Sequence, residues 1–154
     1  GDALRVTYLS FSNNGLGTTG ASALAGALSR GALPKLEVLS VNHNGLGNEA
    51  LVALAPALRR RPALRILDLA SNSISGTGLS ALLDNLGEKE LKQLELLRLG
   101  DNQITDACCA RIAAALDLNA LPRLTVASLY GHQVSAVAKE ALRVALQANE
   151  ARRS

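Results

Sequence analysis

Tryptophan and methionine are absent from the 154 residues, phenylalanine occurs once and tyrosine twice. A compact globule fills irregular interior space with rings and thioethers, so an aromatic content of 2% asks for a regular interior instead. Cysteine occurs only as the adjacent pair Cys108-Cys109. That excludes the disulfide framework of small secreted domains and points to an intracellular, cytoplasmic setting. No apolar run reaches the roughly 18 residues that would span a bilayer, so no membrane insertion is expected. The opening GDALRVTYLS lacks the charged and then apolar pattern of a signal peptide. Charge of one sign is lacking too: 16 Lys and Arg face 13 Asp and Glu, a net +3. What the chain has in quantity is Leu, Ala, Val and Ile, within a hydrophobic share of 48% that excludes disorder.

Those residues recur with a period. Leu36-Glu-Val-Leu39-Ser-Val41-Asn-His-Asn44-Gly-Leu46 returns as Leu64, Leu67, Leu69, Asn72 and Ile74, and again as Leu94, Leu97, Leu99, Asn102 and Ile104. Looser copies flank these, one on Val6, Leu9, Phe11, Asn14 and Leu16, the other on Leu124, Ala127, Leu129, His132 and Val134. The units start near residues 6, 36, 64, 94 and 124.

The second half of each unit carries a helical period. Pairs at i, i+4 mark a buried stripe: Leu24/Leu28, Leu54/Leu58, Leu82/Leu86, Ile112/Leu116 and Leu142/Leu146. Thr18, Asn48, Ser75, Thr105 and Ser135 are placed to cap these helices, and Pro56 is expected to kink or shorten the second. Each unit is thus a short strand, a turn, and a helix that brings the chain back.

The pattern L-x-x-L-x-L-x-x-N-x-[L/I], with 28 to 30 residues per unit and a helical back half, resembles the leucine-rich repeat, in particular its ribonuclease-inhibitor-like subfamily. The resemblance covers residues 4 to 149. It implies an α/β solenoid, a horseshoe of about five repeats with a parallel sheet on the concave face and helices on the convex one. The first, fourth and sixth motif positions point inward, and Asn14, Asn44, Asn72 and Asn102 stack as a ladder at the turn. Residues 1–154 read as one such domain, expected to be the C-terminal end of a longer array. The last unit is expected to act as a cap, because Lys139 and Arg143 replace apolar residues and His132 replaces the ladder Asn.

Chemistry is sought next. His43 and His132 lie three repeats apart, roughly 14 Å at one strand spacing per repeat, too far to share a metal. Cys108 and Cys109 fall at packing positions, and no phosphate-loop, nucleophile-elbow or zinc-protease motif occurs. No catalytic residue, metal, cofactor or small-molecule substrate is therefore expected. Arg59-Arg60-Arg61 is a basic run at a helix C-terminus, where cations complement the dipole. With three aromatics to stack bases, nucleic acid is a poor fit.

What remains is the outward face of the strands. One row there reads Tyr8, Val38, Ile66, Leu96, Val126, and the next Ser10, Ser40, Asp68, Arg98, Ser128; Tyr130 ends a third row of Ser12, Asn42, Ala70 and Gly100. A contiguous apolar row beside Tyr and Arg suits a protein partner of unknown identity. In the family the chain resembles, the concave face and its loops contact proteins. Members include nuclease inhibitors, receptor sensor arms, GTPase-activating proteins for Ran and actin-filament end binders. The expected function is a non-catalytic protein-binding module. The alternatives are a structural spacer within a larger polypeptide, such as a receptor arm or cytoskeletal regulator, and a GTPase regulator.

Overall fold

Leucine at every third or second position of a six-residue run buries one face of a strand and leaves the other open, and five such strands assemble side by side. The computed structural model describes residues 5–131 and 134–153. Among these, β1 (Tyr8–Ser10), β2 (Val38–Ser40), β3 (Ile66–Asp68), β4 (Leu96–Arg98) and β5 (Val126–Ser128) form one sheet in sequential order, every neighbour parallel. Between them run α1 (Gly17–Ser29), α2 (Gly47–Arg59), α3 (Gly76–Leu83) and α4 (Asp106–Asp117), and α5 (Ala136–Arg152) closes the series. The core lies between sheet and helices. Leu36, Leu64, Leu94 and Leu124 are sealed in it from the strand side, and Leu28, Leu54, Leu82 and Leu116 from the helix side. Cys108 and Cys109 are also buried.

The turns are held by the asparagines. Asn72 Oδ1 accepts from the amides of Asn44 (2.9 Å) and Leu46 (3.2 Å) in the preceding repeat. Its Nδ2 donates to the carbonyls of Val41, Leu69 and Ala70. Asn44 and Asn102 repeat this arrangement one repeat earlier and one later. Each ladder Asn reaches backwards, and Asn14, the first, is exposed. The residue before each Asn makes the bend in the left-handed region: Asn13, His43, Ser71 and Asp101 have φ between 52° and 60°. His132 lies outside the described residues.

Several helix ends differ from expectation. Thr105 and Ser135 cap their own helices through the amides of Cys108 and Ala138. Asn48 instead lies in the first turn of α2 and serves the next helix, accepting from the amides of Ser75 and Gly78 and donating to Ser75 Oγ. Gly78 makes room for it, since a Cβ there would press on Asn48 Oδ1. Thr18 lies inside α1 and Ser75 makes no side-chain cap. Pro56 does not shorten α2, which has 13 residues like α1. Pro56 and Val52, the residue whose carbonyl it leaves free, both lie on the exposed side, where water can serve that oxygen.

α3 is the departure that matters most. It stops at Leu83, where Asp84 turns extended and Asn85 adopts φ 53°, so Leu86 lies outside the helix and is only half-buried. At the far end, Lys139 and Arg143 are exposed, and Arg143 pairs with Glu140. They flank a groove of about 370 Å³ with Ala127, Leu129, Leu142 and Leu146 on its floor.

Candidate functional site: the outer face of the sheet

Alternation along a strand sends every second side chain to the outer face of the sheet. The register aligns Tyr8, Val38, Ile66, Leu96 and Val126 in one row and Ser10, Ser40, Asp68, Arg98 and Ser128 in the next. In the apolar row Tyr8 is 62% and Val126 47% exposed, with the three between them half-buried. In the polar row Ser10 and Arg98 are exposed and Ser128 is half-buried. Ser40 and Asp68, at 7% each, are covered by their neighbours.

Their burial has a cause in hydrogen bonding. Ser10 Oγ contacts Ser12 Oγ (2.9 Å), and Ser12 Oγ contacts Ser40 Oγ (3.1 Å). Ser40 Oγ donates to Asp68 Oδ2 (3.4 Å), which also accepts from Asn42 Nδ2 (2.9 Å). Asp68 Oδ1 accepts from the Ala70 amide, and Arg98 Nη1 stands 3.8 Å from Oδ2. Four strands are thus tied across their outer face, with the carboxylate as the hub. Three donors and a nearby guanidinium hold this carboxylate in place as the centre of a structural network.

Tyr130 follows β5 and is 58% exposed. Its ring lies over Gly100, where a Cβ would collide with it, so the glycine provides the seat. Arg98 and Tyr130 stand out as the large polar side chains at this end of the face, beyond the covered Ser40–Asp68 centre.

The other reactive groups do not gather. His43 occupies an exposed turn and the two thiols lie under α4. Burial, with Asp106 adding to it, pushes the Cys109 thiol up and away from nucleophilic use. Among the described residues no three His, Cys, Asp or Glu side chains are placed to hold a metal ion. No helix there is long and apolar enough to cross a membrane.

The basic edge is largely committed to the fold, which repeat counting did not reveal. Arg59 donates to the carbonyls of Ala81 and Asn85 and pairs with Glu90 at 2.9 Å. Arg61 donates to the Ala32 carbonyl, Lys92 to Ala120, and Arg152 to Leu116. Each cation serves a carbonyl at or just beyond the C-terminus of a neighbouring helix, where unpaired carbonyls and the dipole both favour positive charge. Asn149 does similar work, donating to the carbonyls of Leu121 and Leu124 from inside the α5 stripe. A polar residue at a stripe position was the signal available in the sequence.

Parallel strands in sequential order, an inter-repeat asparagine ladder and an outer helical layer together match a family. Its model, described as Leucine Rich repeat, matches residues 6–25, 32–55 and 62–83. The chain is a leucine-rich repeat protein. No curated protein matches it significantly. Among solved structures, this repeat protein is similar to the one titled leiomodin-1 actin-binding site 2, at TM-score 0.78 and 18% identity over 96% of this chain and 82% of that one. It is also similar to a chain of the Chaetomium Mex67:Mtr2 subunits, at TM-score 0.56 and 22% identity over 91% and 88%. Identities this low carry the fold. A leucine-rich repeat array of this form suits protein interaction.

Proposed function

We propose that the chain is a non-catalytic protein-binding module that takes its partner on the outer face of the sheet, around Arg98 and Tyr130. The observation that carries this reading is a face with exposed Tyr8, Arg98, Val126 and Tyr130 around a centre already tied together. Such a face is preorganised, so binding costs it little side-chain entropy. Tyr and Arg are the residue types that most often dominate interface energies. Actin is the first partner to test, from the leiomodin likeness. The repeats are read as ribonuclease-inhibitor-like from their length and helical back halves.

Capture of actin, and of proteins from a lysate, on the immobilised chain tests this. Arg98→Ala and Tyr130→Ala should each weaken binding by about 1–3 kcal/mol and leave unfolding nearly unchanged. Gly100→Ala, which must lift the Tyr130 ring, should weaken binding as well. Normal binding by all three would sink the assignment. The hydrogen bonds that engage Ser40 and Asp68 favour one other reading, a spacer whose face holds no ligand. A chain that captures nothing would support it.

A further inference from the structure

α3 has 8 residues where α2 has 13 and α4 has 12. At 1.5 Å per residue, the shortfall of 4 to 5 residues opens roughly 6–7.5 Å of the helical layer beside α4. Two cavities of about 440 and 470 Å³ meet there, sharing Leu83, Asn85, Ala115 and Leu118 in their walls. Leu118 is 82% exposed, the highest value among the exposed large hydrophobic residues described. A third cavity, of about 610 Å³, continues from the first over Lys92 and Pro122. It is lined by Lys92, Gln93, Pro122, Arg123 and Arg153, without a carboxylate, while Glu88 and the Asp84–Arg111 pair line the first two; Arg153 Nη1 donates to the Arg123 carbonyl at 3.0 Å. Arg123 is exposed, and its guanidinium has no partner among the described residues.

We infer that this notch is a second docking site, one that takes a short acidic amphipathic helix from another protein. The missing turn of α3 leaves a gap with Leu83 and Leu86 on one side and the protruding Leu118 on the other. An entering helix lays its apolar stripe between these leucines and its carboxylates against Arg123 and Arg153. Across the three cavities Lys92, Arg111, Arg123 and Arg153 outnumber Asp84 and Glu88, which sets the sign of the partner, and two tyrosines and one phenylalanine, none of them lining these cavities, argue against stacked bases. The site lies on the helix side of the molecule and does not depend on the outer face of the sheet.

The probe is a synthetic helical peptide with Leu at i, i+3, i+4 and i+7 and Glu at the remaining positions; the control carries Lys in place of Glu. Amide shifts of the isotope-labelled chain locate the contact, and anisotropy of labelled peptide gives the affinity. The Glu peptide should shift amides around Leu86, Lys92, Leu118 and Arg123. Its affinity should fall at least tenfold with Leu118→Ser or Arg123→Glu, weaken with added salt, and stay unchanged with Arg98→Ala. Both notch variants alter exposed side chains, and an unchanged unfolding midpoint verifies that each still folds. Absent binding, equal binding of the Lys peptide, or shifts confined to the sheet face would overturn the proposal. So would phosphatidylserine vesicles that bind through these residues when the peptide does not, or shifts here that grow with chain concentration alone and mark a second copy.

Discussion

A carboxamide satisfies both the donors and the acceptors of a bend that would otherwise bury unpaired backbone, and Asn72 does so for two repeats at once. Replacing it with Ala should cost about 1–3 kcal/mol, because the orphaned amides and carbonyls stay buried. Asn14 is exposed and has no earlier described repeat to serve, so Asn14→Ala should cost less than about 0.5 kcal/mol. Urea unfolding of both variants is the check, and equal losses would remove the ladder as the reason for this asparagine. The ladder was legible from spacing because four positions recur with the same neighbours. Asn48 was not, since its partners lie in the next repeat, and local sequence offers a residue only its own helix to cap.

At the scale of elements, the strands and their register followed directly from the repeat alignment, and both outward rows appear as the sequence orders them. The end of α3 did not. Leu86 keeps the i, i+4 spacing after Leu82, yet Asp84 and Asn85 leave the helical region, and periodicity cannot report that a helix has stopped. The loop that follows is fastened by Glu90, which accepts from the Gly87 amide at 2.8 Å and pairs with Arg59. The Gly87 amide first, then the Arg59 guanidinium, hold the Glu90 carboxyl below the ordinary carboxylate range. A depressed carboxyl stabilises the fold above its unfolded value, near 4.3. That stability is lost as the pH falls through the lower folded value. Glu90→Gln should therefore lower stability by about 1 kcal/mol or less at pH 7, because solvent screens the pair, and the gap should shrink as the pH falls below the ordinary carboxylate range. Unfolding curves across that range decide it. A gap independent of pH would mean that the negative charge is not what holds the loop.

At the scale of the molecule, the five helices among the described residues run the same way, so their carbonyl ends collect on one edge and Arg59, Arg61, Lys92 and Arg152 collect with them. A net charge of +3 understates this segregation. The basic run was expected to complement a helix C-terminus, and Arg59 and Arg61 are indeed largely spent on carbonyls of neighbouring repeats, whereas Arg60 and Arg123 stay exposed. The sequence could show which repeats exist. The gap between two of them appears only once their lengths are compared in space.

The backward reach of each asparagine gives the array a direction in time. Asn44 and Leu46 have their amides held by Asn72, while the amides of Asn72 and Ile74 are held by Asn102. Hydrogen exchange in an Asn72→Ala chain should thus accelerate at Asn44 and Leu46 and leave Asn72 and Ile74 protected; acceleration on both sides would erase the asymmetry. On a ribosome the same polarity means that a bend leaves the exit tunnel with only its own asparagine to hold it. The bonds from the next repeat arrive one unit later, so the nascent chain tightens one unit behind its emergence.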